Sequence, residues 1–131
     1  MKTILIVDDE RDITDVVAAT LEDEGYRVLT AHNGVDGLKC LSGARPDMVI
    51  CDFMMPLMDG ATMCQRVHDD PRLKDIPFVI VSVMDEKVIG RDFGTYDGYI
   101  RKPFRMVALL KLVGRLLGRQ PETLERLKSP M

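Results

Sequence analysis

The sequence lacks several features that define other classes of protein. Apolar residues make up 46% of the 131-residue chain. They form no continuous run near the roughly 18 residues that a membrane-spanning helix needs. The first residues begin a short strand pattern rather than a signal peptide. We find no internal repeat, low-complexity stretch or second domain. These absences predict one soluble globular domain, which we expect in the cytoplasm.

Cysteine is scarce and is not arranged for cross-linking. The three cysteines, Cys40, Cys51 and Cys64, cannot all pair, and none belongs to a CxxC motif. A disulfide framework and a structural zinc site are therefore both disfavoured. We expect each thiol to act as a small buried hydrophobic group.

Charge is distributed unevenly along the chain. Residues 1–100 contain 10 Lys/Arg and 19 Asp/Glu, whereas residues 101–131 contain 8 Lys/Arg and 2 Glu. Such a split can mark a docking surface for an acidic partner, but a solvated basic face on the last helix explains it equally well. Direct nucleic-acid binding is disfavoured, because the basic residues of that helix span several of its faces and no recognition motif is present. Those residues are Arg105, Lys111, Arg115 and Arg119.

Short β-branched segments alternate with helical patterns, as is typical of repeated βα units around a parallel sheet. Strand patterns occupy residues 4–7, 27–31, 48–51, 78–81 and 99–101. Apolar residues recur at helical spacing over residues 13–21 and 35–41, after the Asp59-Gly60 pair, and over residues 106–117. Segment 85–98 is rich in glycine, so we expect the fourth helix to be short or irregular.

Polar side chains follow the strands at the edge where ligands bind in open α/β sheets. Asp8, Asp9 and Glu10 follow the first strand, Asp52 the third, Ser82 the fourth and Lys102 the fifth. In a doubly wound, flavodoxin-like sheet of order 2-1-3-4-5, these side chains converge on one crevice.

The chemistry of this set indicates phosphoryl transfer. Clustered carboxylates repel each other and raise one another's pKa values, which a divalent cation would relieve. Carboxylate oxygens favour Mg²⁺ over a transition metal. Lys102 supplies a positive charge and Ser82 a hydroxyl donor, which together suit a tetrahedral anion. The set therefore predicts phosphoryl chemistry with a carboxylate nucleophile.

Three motifs give the sequence a family resemblance. The segment ILIVDDE at residues 4–10, DFMMPLMDG at 52–60 and KPF at 102–104 resemble the receiver domain of two-component response regulators. The resemblance covers residues 1–118 and leaves 119–131 as a short tail. It implies a flavodoxin-like (βα)5 sandwich with a five-stranded parallel sheet in the order 2-1-3-4-5.

The resemblance also implies a phosphoacceptor and a metal site. Asp52 would accept a phosphoryl group from a histidine kinase or a phosphotransfer protein. Asp9 and Asp52 would bind Mg²⁺ directly, with Mn²⁺ as a substitute, together with the backbone carbonyl of Met54. Asp8 would act mainly through a water.

Further residues would transmit the modification. Ser82 would bond a phosphoryl oxygen, and Lys102 would pair first with Asp52 and then with the phosphoryl group. Tyr99 matches the aromatic residue that turns inward, and a cis peptide bond before Pro103 would orient the lysine. Because phosphorylation adds about −1.5 to −2 units of charge, it would bias a two-state packing arrangement.

The implied partners are a kinase or phosphotransfer protein and an unidentified downstream protein, with phosphorylation-dependent dimerisation and no membrane contact. Catalysis would be limited to the protein's own phosphorylation and slow dephosphorylation, so it would not be an enzyme. One alternative is a phosphorylation-independent interaction module. A Mg²⁺-dependent phosphohydrolase is less favoured, because Met54 stands where such enzymes place an acid. The sequence does not separate a stand-alone regulator from a domain of a longer protein.

The sequence departs from the family pattern near the site. Val83 stands where a small residue is usual and should narrow access to the phosphoryl group. Met54 and Met84, each two positions after a site residue, cannot orient an attacking water, which predicts a long-lived aspartyl phosphate. Ser82 and Lys102 are slightly closer in sequence than is usual, which again predicts a fourth helix that is truncated or replaced by a mobile loop.

Overall fold

Five β-strands alternate with five α-helices along the chain. The computed structural model describes residues 1–92 and 95–119. The elements are β1 Thr3–Val7, α1 Arg11–Asp23, β2 Arg27–Ala31, α2 Gly34–Gly43, β3 Met48–Asp52, α3 Gly60–Asp69, β4 Phe78–Ser82, α4 Glu86–Asp92, β5 Gly98–Arg101 and α5 Met106–Leu117.

The strands form one parallel sheet in the order β2-β1-β3-β4-β5, which confirms the predicted fold. The sequence patterns of β3 and β4 are almost wholly apolar because both strands are buried along their full length. β2 lies at an edge and is correspondingly more polar. The register pairs Asp52 with Val81 and Ser82 with Arg101, so the carboxyl ends of neighbouring strands lie side by side.

Helices cover both faces of the sheet and divide the core in two. Successive side chains of a strand point to opposite faces. Ile4 and Ile6 of β1 therefore pack with buried residues of α1 and α5, whereas Leu5 and Val7 pack with those of α2 and α3. The sheet is therefore covered on both faces beneath its carboxyl edge.

The helix boundaries follow local capping chemistry. Asp59 caps α3, because its carboxylate accepts the N–H of Thr62 at 2.7 Å. The sequence pattern predicts that Asn33 is part of a turn, but it is the N-cap of α2, where it accepts the N–H of Asp36 at 2.8 Å. That helix consequently starts earlier than the pattern of apolar residues indicates.

The fourth helix has only seven residues, which confirms that it is short. None of the helices in the described ranges is long and apolar enough to cross a membrane. All three cysteines are free; Cys51 and Cys64 are buried as expected, and Cys40 is half-buried.

The end of α5 is tied to the turn between α1 and β2. Gly118 adopts a left-handed conformation with φ +72° and ends the helix. Arg119 then stacks over the ring of Tyr26 at 5.0 Å and donates to the carbonyl of Glu24 at 2.5 Å. Arg119 therefore contributes to the fold. The rest of the predicted tail, residues 120–131, lies outside the described ranges.

Candidate functional site

Lys102 connects three carboxylates at the carboxyl edge of the sheet. Its ammonium lies 3.1 Å from Asp8 Oδ2 and 3.3 Å from Asp52 Oδ2. It also lies 3.5 Å from Glu10 Oε1. Asp8 directly follows β1, Asp52 ends β3, and Lys102 directly follows β5. The peptide bond between Lys102 and Pro103 is cis, as the resemblance implies.

The acidic residues form a group suited to a hard cation. One ligand oxygen each from Asp8, Glu10 and Asp52 lie within 4.8 Å of one another, and no other such group of three occurs in residues 1–92 and 95–119. Carboxylate oxygens are the ligands that Mg²⁺ prefers in proteins, so this group is the candidate metal site. Asp9 is exposed and lies outside this group, so its direct role in binding metal stays a prediction.

Glu10 is expected at this edge of the sheet, but its contact with Lys102 was not predicted from the sequence. It extends the acidic pair by one residue and is the N-cap residue of α1. The acidic run Asp8-Asp9-Glu10 was the available signal. The sequence did not reveal that the third acid of the run turns toward Lys102.

Burial and mutual repulsion shape the electrostatics of the site. Asp52 is 8% exposed, and burial, reinforced by the charge of Asp8, raises its pKa from 3.8 to about 6 despite the opposing pull of Lys102. Burial alone would lower the pKa of Lys102. Hydrogen bonds and attraction to the two aspartates outweigh burial, so the lysine pKa is raised. The site thus holds more negative charge than its one ammonium offsets, and a further cation is favoured there.

Gly60 allows α3 to begin directly against the phosphoacceptor candidate. Its N–H donates to the carbonyl of Phe53 at 2.8 Å. A Cβ at this position would lie 2.6 Å from the carbonyl oxygen of Asp52. Any larger residue would therefore displace the backbone that carries the Asp52 carboxylate.

Ser82 and Tyr99 are linked through the backbone of Met84. The Ser82 hydroxyl, 1% exposed, accepts the N–H of Met84 at 3.0 Å. The Tyr99 hydroxyl donates to the carbonyl of the same residue. The two predicted switch residues are thus brought together, and the serine hydroxyl is bonded to its own loop.

Arg101 holds the loop between β4 and α4, a role that sequence reasoning missed. Its Nε donates to the carbonyl of Val83 at 3.2 Å, and its guanidinium lies 4.0 Å from the carboxylate of Asp85. The contact depends on the register that places Arg101 beside Ser82. Sequence spacing alone carries no signal for that register.

Two clefts open beside the carboxylates. The first, of about 570 Å³, has Val83 and Lys102 on its walls. The narrowing of access to the phosphoryl group by Val83 stays a prediction. The second, of about 500 Å³, is lined by Met54 and Met84 together with Asp9. The site is thus flanked by apolar side chains on both sides.

The sequence matches the family described as the response regulator receiver domain over residues 4–114. The chain therefore belongs to the receiver domain family of response regulators.

Particular relatives are similar along most of the chain. The DNA-binding dual master transcriptional regulator RpaA of Synechocystis sp. is 38% identical over 122 residues, covering 91% of this chain and 50% of that protein. The chain thus spans about half the length of the curated relatives it matches.

Solved structures show the same architecture. The receiver domain of a signal transduction histidine kinase from Syntrophus aciditrophicus is 33% identical with a TM-score of 0.84, covering 90% of this chain and 91% of that one. The response regulator TrrA from Thermotoga maritima, in complex with Mg(2+)-BeF, is 30% identical with a TM-score of 0.81, covering 88% of this chain and 99% of that one.

Proposed function

We propose that this receiver domain accepts a phosphoryl group on Asp52 in a Mg²⁺-dependent reaction and thereby controls a partner protein. The observation that carries the proposal is the position of Lys102, bonded to both Asp8 and Asp52 at adjoining strand ends. The Mg(2+)-BeF complex of a similar response regulator supports the same chemistry. The donor would be a phosphohistidine on a histidine kinase or phosphotransfer protein.

The side chains have separate tasks in the transfer. A carboxylate oxygen of Asp52 attacks phosphorus, and the bond from phosphorus to the donor imidazole nitrogen breaks. Lys102, already at Asp52 Oδ2, follows the charge onto the phosphoryl oxygens. Asp8, Asp9, Asp52 and the Met54 carbonyl would hold Mg²⁺ or Mn²⁺, with Glu10 nearby. When bound, the cation neutralises the carboxylates and the transferring group.

The backbone of Met84 would carry the change from the site to the surface. A phosphoryl group on Asp52 offers strong acceptors for the Ser82 hydroxyl, which now bonds the Met84 N–H. Reorienting the serine would free that N–H, and the carbonyl of Met84, in the next peptide unit, accepts the Tyr99 hydroxyl. Phosphorylation would therefore alter the β5 surface that a downstream protein or a second copy reads.

The aspartyl phosphate should persist. Hydrolysis requires a water oriented in line with the scissile bond, and the cleft beside Asp9 presents the side chains of Met54 and Met84. Replacing both with asparagine should shorten the half-life of the adduct. An unchanged half-life in the double variant would contradict this part of the proposal.

Intact-mass spectrometry after incubation with acetyl phosphate tests the proposal. The wild type should gain one phosphoryl group with Mg²⁺ and none with EDTA, and Asp52→Asn should gain none. Asp59→Asn is a matched control, because asparagine still caps α3, and it should be phosphorylated normally. Phosphate release faster than decay of the adduct would favour a phosphohydrolase. Absence of an adduct while Mg²⁺ still binds would favour a phosphorylation-independent interaction module.

A further inference from the structure

Met54 is unusually accessible for a residue so close to a candidate phosphorylation site. Its exposed fraction is 62%, and within the described ranges the only other exposed methionine is Met1, at 94%. Met48 and Met63 are fully buried. A dissolved oxidant therefore meets the Met54 thioether well before those of the core.

The backbone of Met54 lies at one particular oxygen of the phosphoacceptor carboxylate. Its backbone N–H is 3.4 Å from Asp52 Oδ1, whereas Oδ2 is bonded to Lys102. The cleft of about 500 Å³ that Met54 lines has room for several ordered waters. A polar atom on this side chain would be available to waters in that cleft.

We propose that Met54 is an oxidation site that sets the lifetime of the phosphorylated state. Resting on the proposed function, the inference adds a regulatory input from an oxidant of the peroxide class. As a thioether, Met54 leaves the attacking water unoriented, and the phosphoryl group persists. As a sulfoxide, it supplies a strong acceptor at the same place, and the phosphoryl group is lost faster.

The chemistry balances in two steps. The thioether sulfur attacks one peroxide oxygen, the O–O bond breaks, a sulfur–oxygen bond forms, and the second oxygen leaves as water; sulfur loses two electrons and peroxide gains them. The sulfoxide oxygen then accepts a hydrogen bond from a water that attacks phosphorus. The bond from phosphorus to the Asp52 oxygen breaks, which gives the free carboxylate, inorganic phosphate and one proton.

The exposed position of Met54 separates this effect from damage to the fold. A sulfoxide disrupts a core when it forms in one, but the Met54 side chain is mostly in solvent. Oxidation limited to exposed methionines leaves Met48 and Met63 intact. The change in lifetime should therefore occur in a protein that remains folded.

The test compares each protein with its own untreated sample. Wild type, Met54→Leu and Met84→Leu are treated with hydrogen peroxide, freed of oxidant and phosphorylated with acetyl phosphate. The half-life of the adduct is then measured after removal of the donor. Circular dichroism confirms the fold, and peptide mapping confirms which methionines carry oxygen. Met1 is present in all three proteins and serves as the internal control for exposure to oxidant.

We expect oxidation to shorten the half-life about 2- to 10-fold, the equivalent of one neutral hydrogen bond, in wild type and in Met84→Leu. Met54→Leu should show no shortening even though Met1 is oxidised. Methionine sulfoxide reductase should restore the wild-type half-life. Equal half-lives in oxidised and untreated wild type, or shortening that persists in Met54→Leu, would overturn the inference. Failure of the untreated protein to form any adduct would instead overturn the proposed function.

Discussion

Replacing Asp52 with asparagine should stabilise the protein against unfolding at neutral pH. The pKa of Asp52 rises from 3.8 to about 6 on folding, chiefly because the carboxyl is buried and lies beside Asp8. A shift of about two units corresponds to about 3 kcal/mol. Screening by solvent reduces this value, so we expect a gain of about 1–2 kcal/mol for the uncharged amide. The attraction to Lys102 is already included in the net shift.

The pH dependence follows from the direction of the shift. Above about pH 6 both the folded and the unfolded protein carry a charged Asp52, and the folded state bears the full penalty. Between pH 6 and 4 the folded carboxyl takes up a proton first, so the penalty disappears as the pH falls. The stability difference between Asp52→Asn and wild type should therefore be largest at pH 7.5 and close to zero near pH 4.

Urea unfolding in EDTA at several pH values measures this difference. Asp59→Asn is the control and should change the free energy of unfolding by less than about 0.5 kcal/mol. Mg²⁺ at 100 times its Kd should stabilise the wild type by about 2.7 kcal/mol and leave Asp52→Asn nearly unaffected. A variant that is less stable than wild type at pH 7.5, or a difference that does not vary with pH, would refute the electrostatic reasoning.

Three further predictions concern the loops and helices around the site. Gly60→Ala places a Cβ 2.6 Å from the carbonyl oxygen of the phosphoacceptor residue, and it should lower the free energy of unfolding by about 2 kcal/mol and slow phosphorylation. Gly43→Ala, which meets nothing within 4 Å, should be neutral or stabilising in the same urea assay. Leu57 has φ +71° and is 80% exposed, so Leu57→Asn should raise stability by about 0.5–1 kcal/mol; a loss of stability would show that the leucine makes a needed contact. Amide hydrogens of Glu86–Asp92 should exchange faster than those of Arg11–Asp23, because a seven-residue helix has few buried contacts; equal protection would contradict this.

The sheet could be predicted from the sequence because its central strands are buried on both faces. Segments 48–51 and 78–81 are almost wholly apolar, a pattern that only strands covered on both sides require. The polar residues that end such strands must then meet at one edge. For this reason the order of strands and polar residues along the chain is enough to predict that Asp8, Asp52 and Lys102 lie together.

Contacts that flexible side chains make between neighbouring strands and loops could not be predicted from the sequence. Glu10 reaches Lys102 only because the backbone turns into α1 at that residue, and Arg101 meets Val83 only because β4 and β5 pair as they do. The early start of α2 was missed for a related reason, since the cap at Asn33 is a hydrogen bond and leaves no trace in the apolar periodicity.

The most direct test of the central claim locates the phosphoryl group itself. Borohydride reduces an aspartyl phosphate to homoserine, so reduction after treatment with acetyl phosphate and Mg²⁺ marks the modified residue in a peptide map. We expect homoserine at position 52 in the wild type and none when EDTA replaces Mg²⁺. Homoserine at Asp8, Asp9 or Asp59 instead, or at no position, would contradict the assignment of Asp52 as the phosphoacceptor.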